Sequence, residues 1–168
     1  ERAKEFCLRE YRKLGDKDLR WYDIEYWLKR FRIETPAIEI LQKWENYIRV
    51  YPDVLTTLER LTRKGFQLII ITCMPRIFLK EKIYKFDSYF KKIFSTISDF
   101  RKVKSPEVYL HISRDITIEP SSILHVGDHP LLDYEFSRQA GYESLLIERD
   151  GKTHKESIQR LEEIFHYI

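Results

Sequence analysis

The chain has 168 residues, of which 34% are charged, and its 30 Lys and Arg against 27 Asp and Glu leave a formal net charge of +3. That length suits one domain with at most a small appendage, and it is enough to bury a substantial core. Bases alternate with acids, which describes a solvated surface and excludes any strong case for a nucleic-acid partner. No apolar run approaches membrane-spanning length, and no secretory signal opens the sequence, so no membrane partner is expected. Cys7 and Cys73 lack metal-ligand spacing, which favours a reducing, cytoplasmic compartment over a disulfide framework. Abundant Lys, Arg, Glu, Ile and Tyr, with only five Gly, is a composition found in thermophiles.

Taken in chain order, residues 1–50 read as helices. Ala3, Phe6, Cys7, Tyr11 and Leu14 recur at helical spacing up to Gly15. Asp18 can cap the next segment, in which Leu19, Tyr22, Tyr26, Trp27 and Phe31 form an aromatic stripe. Thr35-Pro36 offers a capping hydroxyl and a proline at the first helical position. Ile38, Leu41, Trp44, Tyr47 and Ile48 follow as an apolar face. Such stripes are read as core.

Past Tyr51-Pro52 the pattern changes. Val54, Leu55, Leu58 and Leu61 define an amphipathic helix closed by Lys64-Gly65. Residues 67–72 (QLIIIT) form a β-branched run suited to a strand covered on both faces. Helix is expected at 76–86, a short strand at 91–95, and a helix from Pro106 to Arg114 with Ser105 as its cap. A strand at 123–126, a helix at 131–140, a strand at 143–147 and a last helix at 154–167 complete the series. Alternating strands and helices predict an α/β fold, a doubly wound parallel sheet in three layers. The helical unit, 1–50, precedes an α/β domain, 51–168.

Three polar features stand at successive strand ends. Thr72 closes the strand 67–72, where a hydroxyl and the following amides can cradle an anion. Lys102 and Lys104 precede a helix started by proline. The strand 123–126 is then cut off by Gly127-Asp128, with a second carboxylate at Asp133. Carboxylates at the carboxyl end of a buried strand lie where ligands bind in open α/β sheets, and they suit Mg²⁺, a hard cation held by oxygen ligands. A second reading stays open, in which Asp128 starts a turn and Asp133 caps the next helix.

In this order the features resemble the haloacid dehalogenase superfamily, in its branch with a small helical cap. That resemblance implies a motif-two hydroxyl at Thr72, a motif lysine at Lys104 with Lys102 as rival, and a fourth motif at Gly127-Asp128-His-Pro-Leu-Leu-Asp133. Tyr51-Pro-Asp-Val-Leu, Ser88-Tyr-Phe and Leu145-Leu-Ile-Glu-Arg-Asp-Gly151 extend the likeness along the whole chain. Two departures stand out. Cys73 follows Thr72 where the family commonly has Asn, and no Asp-x-Asp follows an apolar strand. Asp16-Lys-Asp18 has that spacing but sits between helices. In the family Asp-x-Asp ends the first strand, in mid-sheet between the strands equivalent to 67–72 and 123–126. Lacking that central strand, the sheet would carry two unpaired edges, so a strand and turn of roughly a dozen or more residues is expected upstream of Glu1.

The resemblance implies a Mg²⁺-dependent phosphatase for a small phosphorylated metabolite, working through an aspartyl-phosphate. Asp128 would help hold the metal, Thr72 and Cys73 would face the phosphoryl group, Lys104 would pair with it, and Asp133 would orient Lys104 or a metal-bound water. Arg76 is a further substrate-side candidate, with a solvated Arg as the favoured reading. A 2-haloacid dehalogenase and a catalytically silent binding protein are the alternatives. The silent reading predicts a first strand without Asp-x-Asp, and direct pairing of the strands at 67–72 and 123–126 would decide for it. A monomer or a homodimer is equally compatible with the sequence.

Overall fold

A β-branched run and a set of caps organise the backbone, which a computed structural model describes for residues 2–44, 47–83, 86–151 and 154–168. The chain divides into two units, 1–49 with 69–103 and 50–68 with 104–168.

In the first unit, helix α1 (Arg2–Leu14) stops where Gly15 turns to φ +77°. The aromatic stripe expected as one helix is split. Asp18 caps a single 3₁₀ turn, Leu19–Tyr22, and Asp23 then caps α2 (Ile24–Arg30) by accepting the Glu25 and Tyr26 amides. Two successive Asx caps break one helical period into two short pieces. The aromatic residues still pack together. Trp27 is 4% exposed, stacks on Tyr11 at 3.9 Å between ring centroids, and donates its indole N–H to Trp21 O. Such ring pairs contribute about 0.5–1.5 kcal/mol beyond their buried area. Beside them, Glu10, Lys13, Leu14, Tyr26, Trp27 and Arg30 line a cavity of about 290 Å³. Helix α3 (Ala37–Trp44) begins directly after Pro36; residues 45 and 46 of its expected continuation lie outside the described residues. Strand β1 (Leu68–Thr72) pairs with β2 (Phe90–Ser95). Between them α5 spans Arg76–Ile83, and residues 84 and 85 of the expected helix lie outside the described residues.

The second unit opens with α4 (Pro52–Arg63), whose proline occupies the first turn. Helix α6 (Pro106–Ile116) is capped by Ser105, whose Oγ accepts the Val108 amide. Strands β3 (Leu124–Gly127), β4 (Glu143–Ile147) and β5 (Ser157–Ile158) form a parallel sheet in the order β3-β4-β5. Leu124 pairs with Glu143, and Leu146 with Ser157. Between β3 and β4 the chain winds through a wide π-type turn, Pro130–Glu135, into the short helix α7 (Phe136–Gln139).

The terminal segment differs from its expected helix. It supplies β5 and a 3₁₀ turn, Leu161–His166. Ile158 is wholly buried with Leu61, Leu145 and Ile164, so apolar burial beside β4 overrides the helical pattern. Asp53, 4% exposed, ties this tail to α4. Its carboxylate accepts Arg149 Nη1 at 3.0 Å to each oxygen and the Leu161 amide at 2.6 Å. Arg149 also lies over the Tyr51 ring at 3.8 Å.

Candidate active site

The backbone after β3 is shaped around one side chain. A Cβ added to Gly127 would lie 2.3 Å from Asp133 Cγ, so only glycine leaves room for that carboxylate. Asp133 reaches this place because the Pro130–Glu135 turn carries it back over the strand end. The His129 amide donates to its Oδ2 at 3.1 Å. His129, and neither aspartate, caps the turn, since its Nδ1 accepts the Leu131 and Leu132 amides at 3.2 and 3.1 Å. Asp133 therefore caps neither this turn nor the helix that follows it. Asp128 is exposed at the end of β3, and no described residue forms a hydrogen bond or ion pair with its carboxylate.

Asp133 is 5% exposed, and its Oδ1 collects three groups. Lys104 Nζ makes a very close ion pair with it. His125 Nε2 stands at 3.3 Å and Tyr109 Oη at 3.5 Å. Lys104 is itself buried, while Lys102 is exposed; of the two rivals, Lys104 is the one brought to the acid. The capped start of α6 explains this. Ser105 and Pro106 fix the backbone directly after Lys104, and Tyr109 follows one turn into the helix. The Tyr109 hydroxyl donates to Leu132 O at 2.9 Å, joining α6 to the turn that carries Asp133.

Burial alone would push the Asp133 carboxyl up. The His125 hydrogen bond and the Lys104 charge outweigh that effect and hold it well below the usual carboxylate range. Burial pushes the His125 imidazole down against its bond to Asp133, and the Lys104 charge pushes it the same way. The site thus holds a fixed ammonium, a fixed carboxylate and a neutral imidazole. Sequence reasoning did not single out His125 or Tyr109. The available signal was a histidine inside an apolar strand run.

The other expected residues belong to the first unit. Thr72 Oγ1 accepts the Met74 amide at 3.0 Å, which leaves its own proton to be donated elsewhere. Cys73 Sγ receives the Thr96 hydroxyl at 3.5 Å. Arg76 is held in a fork by Asp99, with both N–O distances 2.8 Å, and it also donates to Ile93 O. Among the described residues no group of three or more His, Cys, Asp or Glu could alone hold a metal ion.

The family model for haloacid dehalogenase-like hydrolases matches residues 5–147. The chain belongs to this family. Among solved structures, this haloacid dehalogenase-like chain is similar to the HAD phosphatase from Thermococcus onnurineus. The TM-score is 0.87 with 27% identity, over 99% of this chain and 79% of that one. It is also similar to the 2-haloacid dehalogenase from Pseudomonas syringae pv. tomato, with a TM-score of 0.60 and 26% identity, over 70% of this chain and 52% of that one. A curated relative, glyceraldehyde 3-phosphate phosphatase of Methanopyrus kandleri, is 25% identical over 105 residues, 61% of this chain and 45% of the relative. The chain spans about half the length of the curated relatives it matches. No helix among the described residues is long and apolar enough to cross a membrane.

Proposed function

We propose that the protein is a Mg²⁺-dependent phosphatase of a small phosphorylated metabolite, working through an aspartyl-phosphate. The observation that carries this reading is the buried Lys104–Asp133 pair beside the solvent-facing Asp128 at the end of β3. The relatives named phosphatases add support. Residues 1–50 serve as the cap that selects the leaving group, and 51–168 as the catalytic core.

Magnesium suits the donor chemistry available. Asp128 is an exposed carboxylate without a competing partner among the described residues, and Mg²⁺ is commonly held by one or two carboxylates with waters. When bound, the ion would offset negative charge on the phosphoryl oxygens. The residues of this chain do the rest. Asp133 fixes the Lys104 ammonium, which pairs with the phosphoryl oxygens and with the attacking carboxylate. Thr72 donates its hydroxyl proton to a phosphoryl oxygen, and the backbone after Cys73 helps cradle the group. The nucleophile is an aspartate on a strand outside this chain. One edge of β3 is paired with β4, and its other edge has no partner strand among the described residues, so it can receive that strand. There the carboxylate oxygen bonds to phosphorus as the ester oxygen departs, and water then cleaves the acyl phosphate.

A dehalogenase is the second reading, favoured by the likeness to the Pseudomonas protein. It predicts halide release that needs no metal. A catalytically silent binding protein is the remaining alternative, and it predicts a first strand without Asp-x-Asp; direct pairing of β1 with β3, which would have favoured it, is not seen among the described residues. A cytoplasmic, thermophilic source fits the two free cysteines and the charged composition. As monomer or homodimer, the protein would act on a small molecule alone.

The test uses the intact protein as the cell produces it. Mass measurement and sequencing should find Asp-x-Asp ahead of Glu1, and para-nitrophenyl phosphate should be turned over with Mg²⁺. Lack of the motif would sink the enzyme reading, and turnover that survives complete Mg²⁺ removal would refute the metal-assisted one.

A further inference from the structure

The phosphatase reading uses Lys104 and Asp133 but leaves a buried histidine beside them unexplained. His125 points from β3 at two oxygens, Tyr109 Oη at 3.1 Å and Asp133 Oδ1 at 3.3 Å. Its ring packs edge-on against Tyr109, with 5.1 Å between centroids. Tyr109 is fully buried, and its main-chain carbonyl is held by the Tyr142 hydroxyl at 2.8 Å.

Proton bookkeeping fixes who donates. The Tyr109 hydroxyl has one proton, and the 2.9 Å contact with Leu132 O takes it. Asp133, paired with Lys104, is an ionised acceptor. Both oxygens facing Nε2 are therefore acceptors, so Nε2 must carry the proton of the neutral ring. With the His129 amide on Oδ2, and the Lys104 ammonium and His125 Nε2–H on Oδ1, both ends of the carboxylate are fixed in rotation. Lys104 is a long, flexible chain ending in a point charge. Its placement depends on how rigidly its acceptor is held, and misplacement by about 1 Å can cost a reaction about a hundredfold.

We propose that His125, backed by Tyr109, is a positioning residue whose Nε2–H locks the Asp133 carboxylate in the orientation that presents Lys104 to the phosphoryl group. This rests on the phosphatase reading and adds to it a residue that never touches substrate. Gln at position 125 can offer an amide N–H near the place of Nε2, whereas Leu cannot.

The experiment compares wild type, His125→Leu and His125→Gln in the intact protein, with folding verified by circular dichroism. Para-nitrophenyl phosphate turnover is measured alongside ¹⁵N spectra of the imidazole at neutral pH. His125→Leu should lower kcat by about ten- to a hundredfold with KM within about twofold, and His125→Gln should restore most of the loss. The spectra should show a neutral ring protonated at Nε2, and Asp133→Asn should perturb that signal. Should His125→Leu fail to fold, Tyr109→Phe replaces it, with the same direction and a smaller loss expected. Unchanged kcat in a folded His125→Leu protein would overturn the role, as would a Gln variant as slow as Leu, or a ring protonated at Nδ1. If the wild type turns over no phosphate ester, the phosphatase reading fails on its own. The spectra then decide separately whether the His125–Asp133 bond exists.

Discussion

Replacing Gly127 with alanine tests the close approach on which the site is built. The new Cβ would stand 2.3 Å from Asp133 Cγ, 2.5 Å from its Cβ and 2.6 Å from Oδ2, where ordinary contact begins at 3.4 Å. Asp133 must therefore retreat by about an ångström, and little there can give. Its amide is bonded to His129 O at 2.9 Å, Oδ2 to the His129 amide, and Oδ1 to Lys104. Overpacking of this kind costs about 1–3 kcal/mol, and full rupture of a buried ion pair about 3–5 kcal/mol. A loss near 3 kcal/mol is expected, which for a chain of this length lowers Tm by roughly 6–12 °C. Thermal melts followed by circular dichroism measure it. Gly65→Ala is the control. Gly65 has φ +86° but open space around its Cβ position, so its cost is the left-handed backbone alone, about 1–2 kcal/mol. A Gly127→Ala protein as stable as the Gly65→Ala protein would show that Asp133 is not pressed against the strand end.

Three further outcomes are expected. Lys104→Met leaves Asp133 buried and unpaired, and should lower the unfolding free energy in urea by about 3–5 kcal/mol; adding Asp133→Leu should recover most of the loss. Acid titration of the urea midpoint should show two phases. His125 has a folded pKa below its unfolded value, so the unfolded chain gains a proton first and stability falls as pH drops below about 6.5; His125→Gln removes this phase. Asp133 and Asp53 are likewise depressed, so their contribution is fully present above about pH 4 and is lost as pH falls further, a phase that Asp53→Asn reduces. Asp128→Asn should change stability by less than about 0.5 kcal/mol, because no described residue bonds to that carboxylate, while weakening Mg²⁺ binding measured by calorimetry on the intact protein.

The sequence announced those parts of the fold that depend on local chemistry. The β-branched run at Leu68–Thr72, the Ser105-Pro106 helix start and the Gly-Asp turn after β3 each have a near-neighbour cause. Parts decided by distant partners were hidden. Ser157 and Ile158 form a strand only because β4 lies beside them, and two residues carry no readable period. Lys104 and Lys102 are equivalent as letters; burial against Asp133 separates them. The capping alternative for Asp133 could not be dismissed until His129 was seen to bind the amides that an aspartate would have taken. His125 read as a blemish in an apolar run, because its partners lie 8 and 16 residues away in sequence.

The Asp53 carboxylate has a consequence for the order of events during synthesis. Its bond to the Leu161 amide joins residues 108 apart, and the bond from Arg149 joins residues 96 apart. At about 5–20 residues per second, a ribosome delivers Leu161 roughly 5–20 s after Asp53. Throughout that wait the first turn of α4 holds a charge that has nowhere dry to go. The clasp on α4 thus closes only when the tail arrives, and a chain cut short before Arg149 leaves Asp53 without either of these partners.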